Sequence, residues 1–191
     1  MNSATCLASS AHDSQLPNQQ LLEMIVHAQR NGLGCLPETL GLDQAEHSRL
    51  LQRYFGACTS SLPIMNKLTR ERSELRQQLL DLRRDEWQEL HDLLNSHRKG
   101  HDESETWLAA IIATACLGSE HLWRDLGLPS RDVLRHLLQA NFPLLARRND
   151  KDMRWKKFFY KQLCEQEGGY VCRAPTCEQC TAYSDCFGPE E

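Results

Sequence analysis

The sequence has no apolar run long enough to cross a bilayer. The longest, Trp107 to Leu117, is interrupted by Thr114 and falls well short of the about 20 residues a transmembrane helix requires. The first residues, MNSATCLASSAHDSQLPNQQ, lack both a basic stretch and a continuous apolar stretch, so no secretory signal is expected and the chain is placed in the cytoplasm. There is no excess of positive charge. With 22 Lys and Arg against 26 Asp and Glu the net charge is -4, which disfavours nucleic-acid binding through a basic surface. No segment alternates with the period of a strand, no Asn-Gly hairpin occurs and no internal repeat is found, so the expected fold class is all-α. The serine-hydrolase elbow, the zinc-protease HExxH, the phosphate-binding P-loop and the dinucleotide fingerprint are all missing. Hydrolysis, nucleotide use and hydride transfer therefore find no support.

What is present is helical periodicity. Residues 1–17 have none and read as a flexible tail, followed by a helical domain over 18–169 and a cysteine-rich loop over 170–191. Leu21, Leu22, Ile25, Val26 and Gln29 predict a helix from Gln19 to Arg30 that stops at Asn31-Gly32. Asp43 with Glu46 resembles a capping box, and Leu50, Leu51, Tyr54 and Phe55 extend an apolar face to Gly56. Beyond Pro63, Leu68, Leu75, Leu79 and Leu82 form one apolar stripe, and Trp87, Leu90, Leu93 and Leu94 another. Ser104 reads as the N-cap of a helix from Glu105 to Leu117 that has almost no polar face and belongs at the centre. A short helix closed by Gly127 and one from Ser130 toward Asn141 follow, and Pro143 marks a break. The last helix is expected from about Asp150 to Glu167, with Met153, Phe158, Phe159 and Leu163 in the core and Gly168-Gly169 ending it.

The nine cysteines are odd in number and too sparse for a disulfide scaffold, so reduced thiols or metal ligands fit better. Four of them, Cys172, Cys177, Cys180 and Cys186, form C-x4-C-x2-C-x5-C near the end of the chain. Thiolates are soft ligands, and a C-x2-C pair converges two sulfurs on one centre from a tight turn. Pro175 and Gly188 suit an irregular, non-helical loop with little apolar content, for which a bound centre supplies the order. Structural zinc more often pairs two knuckles across a longer spacer, so the spacing favours an iron-sulfur cluster. A zinc-binding interaction module remains open. So does an iron-sulfur DNA-repair glycosylase, although the glycine-rich hairpin and basic surface such an enzyme needs are missing.

Together with that motif, the preceding Met153-Arg154-Trp155-Lys156-Lys157-Phe158-Phe159-Tyr160-Lys161-Gln162-Leu163-Cys164 resembles the NifQ family of nitrogen-fixation proteins. The stretches Trp107 to Cys116 and His121 to Gly127 resemble it too. The resemblance implies a carrier, not an enzyme: an iron-sulfur protein that takes up molybdenum and donates it to synthesis of the iron-molybdenum cofactor of nitrogenase. It further implies NifH and the NifEN scaffold as recipients and molybdate or another molybdenum source as the supply. The implied cluster is of 3Fe-4S or 4Fe-4S type, with Cys172, Cys177, Cys180 and Cys186 as ligands and one corner left for molybdenum.

Other residues carry weaker signals. The segment Arg147 to Lys161 has seven Lys or Arg against two Asp, enough to attract molybdate or an acidic partner, although a solvated helix face is the plainer reading. His97, His101 and His121 flank the central helix; a helix-end or partly buried structural role is the favoured reading of each, and His121, then His97, is the preferred candidate among them to complete a metal sphere. Cys164 is a candidate spare thiol and more simply a packed helical residue. Cys6, Cys35, Cys58 and Cys116 have no ligand spacing, and Trp107, Trp123 and Trp155 read as core residues rather than a cluster shield.

Overall fold

Trp107, Leu108, Ile111 and Ile112 carry too much apolar surface for any solvent-facing position, and the rest of the molecule is arranged around them. The computed structural model describes residues 17–56, 62–166 and 183–188, and among these no strand occurs. Residues 1–16 of the predicted tail and most of the cysteine-rich loop, with Cys172, Cys177 and Cys180, lie outside the described residues. The helices are α1 (Asn18–Arg30), α2 (Gln44–Tyr54), α3 (Lys67–Leu82), α4 (Arg84–Ser96), α5 (Ser104–Cys116), α6 (Leu122–Asp125), α7 (Arg131–Asn141), α8 (Pro143–Arg148), α9 (Trp155–Gln166) and α10 (Tyr183–Phe187).

Helix α5 is buried on every side apart from Thr106 and packs against α2, α4 and α6, while α9 packs on α4 and α7 on α8. Each fully buried large aliphatic side chain in this core is worth about 1.5–3 kcal/mol of transfer free energy. The N-terminus of α5 is held by a polar knot. Asn18 Nδ2 donates to Ser104 Oγ at 2.7 Å and to Asn141 Oδ1 at 2.7 Å, and Asn141 Nδ2 returns a bond to Asn18 Oδ1 at 2.9 Å. Ser104 is therefore the first residue of the helix and not its cap. Asp102 accepts from the Ser104 N–H at 2.9 Å, and Glu105 folds back to accept from the N–H groups of Gly100, His101 and Asp102.

Several boundaries follow the sequence. Asp43 accepts from the Glu46 N–H at 2.7 Å at the start of α2, and Ser130 accepts from the Val133 N–H at 3.3 Å at the start of α7. Gly32 and Gly127 follow α1 and α6 with φ of 77° and 73°, the left-handed values a C-terminal glycine takes without strain.

Others do not. Pro143 opens α8 instead of merely breaking the chain, since its missing N–H is harmless at the first helical position. Helix α9 starts at Trp155, not near Asp150: Asp152 has φ 54°, and Asn149 bonds both the N–H and the carbonyl of Met153, which turns the chain first. Met153, Phe158 and Phe159 are buried, whereas Leu163 is only partly so. The stripe on α3 is inverted. Leu68, Leu75, Leu79 and Leu82 are 55–82% exposed, and Thr69, Ser73 and Leu80 face inward. Arg76 explains the rotation, because its guanidinium donates to the carbonyls of Gly34 and Leu36 and fixes that face of α3 on the loop between α1 and α2. Among the described residues no helix is long and apolar enough to cross a membrane.

Candidate functional site

The short connection from α5 to α6 carries small and polar residues, and its shape is set from below. Lys156, on the first turn of α9, donates to the Gly118 carbonyl at 2.8 Å and to the Asp125 carboxylate, and that carboxylate also accepts from the Glu120 N–H at 3.0 Å. The side chains of Lys156 and Asp125 are 16% and 4% exposed, so this is a largely buried ion pair. A Cβ on Gly118 would lie 2.5 Å from the Asp125 carboxylate, so no side chain fits there.

One residue before α9, Arg154 reaches the other way. Its backbone N–H donates to the Cys186 carbonyl at 2.8 Å, and its guanidinium donates to the carbonyls of Asp185 at 3.2 Å and Gly188 at 3.3 Å. Helix α10 is thereby fastened to the start of α9. Gly188 closes α10 through its N–H to the Ser184 carbonyl at 2.9 Å, and a Cβ there would meet that oxygen at 2.4 Å and the Arg154 guanidinium at 3.0 Å.

Between these two sets of contacts lies a pocket of about 270 Å³. Gly118 to Leu122, Arg154, Lys156, Lys157 and Asp185 line it. His121, the preferred histidine, is on its wall, and Cys186, the last cysteine of the motif, is the neighbour of Asp185 on α10. The structure thus brings His121 and part of the basic segment to the helix that bears Cys186. That segment is not one face, however. Arg148 bonds Gln162 and Lys161 pairs with Glu165 at 2.8 Å; of the seven cations only Arg154, Lys156 and Lys157 line the pocket, and there Lys156 is paired with Asp125 and Arg154 holds the carbonyls of Asp185 and Gly188.

The other candidates fall elsewhere. His97 ends α4, with Nδ1 2.8 Å from the Leu93 carbonyl, and His101 is an exposed loop residue; neither lines the pocket. Cys35 and Cys116 are each pushed up to about 12, in both cases chiefly by burial, so at neutral pH both are protonated thiols. Cys164 is half-buried on α9, Trp107 and Trp155 are core residues, and Trp123 is half-buried against the core. Cys186 lies in a helix, where an irregular loop was expected, because Tyr183 stacks on Phe187 one turn away at 4.5 Å and Phe187 rests on the core. Among the described residues no three His, Cys, Asp or Glu side chains converge as metal ligands. Sequence reasoning missed the roles of Gly118, Asp125 and Arg154. The Lys and Asp of the buried pair are 31 residues apart, and nothing local marks them as partners.

The fold and site define an all-helical protein whose last motif cysteine is clamped beside a cation-bearing pocket. The chain belongs to the NifQ family, whose model matches residues 21–188. It is 58% identical to Protein NifQ of Azotobacter vinelandii over 177 residues, covering 91% of this chain and 89% of that one. It is 38% identical to Protein NifQ of Klebsiella pneumoniae over 167 residues, covering 87% and 94%, and 37% identical to Protein NifQ of Rhodobacter capsulatus over 160 residues, covering 83% and 81%. No solved structure matches the chain.

Proposed function

We propose that the protein is a cytoplasmic molybdenum carrier that holds a molybdenum-iron-sulfur unit and donates molybdenum for synthesis of the nitrogenase iron-molybdenum cofactor. The observation that carries this reading is family membership across residues 21–188, a span that includes the complete C-x4-C-x2-C-x5-C motif. Cys172, Cys177, Cys180 and Cys186 would hold the cluster, of 3Fe-4S or 4Fe-4S type, and NifH and the NifEN scaffold would receive the cargo.

The residues around Cys186 fit such a group. A cluster bound by thiolates is anionic, and Arg154 and Lys157 lie at the α9 terminus to which Cys186 is bonded, Lys156 being already paired with Asp125. Soft thiolates also suit both iron and sulfide-bound molybdenum. When bound, the cluster supplies a corner at which molybdenum is held and from which it can exchange. The chain's own part is to fix the position of Cys186, through the Arg154 N–H and guanidinium.

The test is metal and acid-labile sulfide analysis, with absorption and paramagnetic-resonance spectra, on protein purified without oxygen from molybdate-replete cells. Iron, sulfide and molybdenum together are expected. Each of Cys172→Ala, Cys177→Ala, Cys180→Ala and Cys186→Ala should lower iron and molybdenum, whereas Cys116→Ala should lower stability by about 1 kcal/mol with metal content unchanged. Zinc alone would reduce the site to a structural module, and unchanged metal in all four loop variants would overturn the ligand assignment.

A further inference from the structure

We propose that the cavity between the start of α2, the C-terminal half of α3 and the first turns of α4 binds a small zwitterion of the α-amino-acid class. The Glu46 carboxylate takes its ammonium, the Arg84 guanidinium takes its carboxylate, and an apolar side chain lies on Leu42, Leu80 and Ala110. The cavity has a volume of about 370 Å³, near the lower end of the about 300–1,000 Å³ of clefts for organic ligands, which suits one small molecule better than a nucleotide or a coenzyme. It shares no lining residue with the pocket beside Cys186, and the inference is independent of the carrier reading.

The floor is apolar and the walls are charged. Leu42, Leu80, Trp87 and Ala110 are all buried, and Thr106, the one residue of α5 that is not, stands among them, so the cavity reaches down to the central helix. Opposite charges line it without meeting. Neither the Arg84 guanidinium nor the Glu46 carboxylate has an ion pair or a hydrogen bond among the described residues. The return bond of a capping box, from the Asp43 N–H to the Glu46 carboxylate, is not made, so the cap leaves that carboxylate available. Asp43 is itself engaged: it accepts from the Glu46 N–H, and the positive end of α2 offsets its charge. Two opposite charges held apart in one small cavity are joined by a ligand that carries both.

The cationic wall is built in advance. Trp87 donates from Nε1 to Thr114 Oγ1 at 2.9 Å in the core, His91 stacks on its ring at 4.9 Å with the planes 4° apart, and the Arg84 guanidinium lies 4.2 Å from the ring centroid. A guanidinium laid on an indole keeps the N–H groups at its edge for a planar carboxylate, and its fixed position lowers the ordering cost of binding.

The test is calorimetric titration of L-valine, L-leucine and L-methionine into the full-length protein at low ionic strength. Isocaproate and isoamylamine, which keep the leucine side chain and lack the ammonium and the carboxylate respectively, are titrated beside them. One equivalent of an apolar amino acid is expected to bind, and each single-charge analogue should bind about tenfold more weakly than L-leucine, the lower end expected on loss of one charged hydrogen bond. Glu46→Gln and Arg84→Gln should each weaken amino-acid binding by about tenfold with the circular dichroism spectrum unchanged. Arg84→Lys should recover part of the loss, and Glu89→Gln, exposed on α4 outside the cavity, should match wild type. The proposal is overturned if none of the three amino acids binds, if either single-charge analogue binds as tightly as L-leucine, or if Glu46→Gln and Arg84→Gln bind as wild type does. L-Glutamate binding as tightly as L-leucine would overturn the apolar side-chain assignment.

Discussion

Lys156 and Lys157 are adjacent, chemically identical and indistinguishable by any local pattern, yet they have opposite roles. One is buried against Asp125 beneath the pocket and the other faces solvent at its rim. Removing one partner of a buried pair leaves an uncompensated charge, so Asp125→Asn should cost about 3–5 kcal/mol in urea denaturation. The double variant Asp125→Asn with Lys156→Met should recover part of that loss, because no orphan charge remains. A single-variant cost below about 1 kcal/mol would show that the pair is solvated. The cysteines make the same point: identity alone does not separate Cys116 from Cys186, but Cys116 is buried in α5, which raises its thiol to about 12, whereas Cys186 is half-buried on α10.

At the scale of elements, helices were legible wherever caps and apolar period agreed. Asp43, Ser130 and the glycines after α1 and α6 sit at the boundaries that their chemistry predicts. Helix α3 shows where the reading fails. A stripe of leucines at helical spacing is ordinarily the buried side, but the Arg76 bonds to two backbone carbonyls and the burial of Thr69, Ser73 and Leu80 turn it outward. Leu75→Gln and Leu79→Gln should each change stability by no more than about 0.5 kcal/mol, while Leu80→Ala on the same helix should cost about 2–5 kcal/mol. Thermal or urea unfolding of the three variants checks the rotation directly: if the two exposed leucines cost as much as Leu80, the helix faces the other way. The start of α9 was misplaced for a related reason, since Asn149 forms a side-chain turn with Met153 that no helical period records.

The whole molecule responds to acid through groups scattered over several helices. His47 is buried on α2, and its pKa is lowered by burial first and by Arg30 second. Glu86 on α4 is lowered by its hydrogen bond from Arg83, and it also accepts from the Tyr160 hydroxyl of α9, tying these helices together. Both shifts mean that the unfolded chain binds more protons at low pH. The His47 contribution is fully present above about pH 6.5 and is lost as pH falls through its depressed folded value. The Glu86 contribution is present above about pH 4.5 and is lost below it in the same way. Urea midpoints should therefore fall steadily from pH 6.5 toward pH 4. His47→Gln should flatten the upper part of that curve and leave the lower part. A midpoint rising in that window would reverse the sign of the argument.

The all-helical class, the central position of the Trp107–Cys116 segment and the family were determined by the sequence alone. Helical period, capping chemistry and cysteine spacing are local properties that survive without a fold. The site beside Cys186 was decided only in three dimensions. Its wall depends on Lys156 meeting Asp125 across 31 residues, and its floor on Arg154 reaching the carbonyls of Asp185 and Gly188. Which of seven neighbouring cations faces the pocket follows from packing and not from composition. The physical reason is range: a cap or a period acts within one or two turns of chain, whereas burial and charge pairing join residues that are near only after the helices have packed.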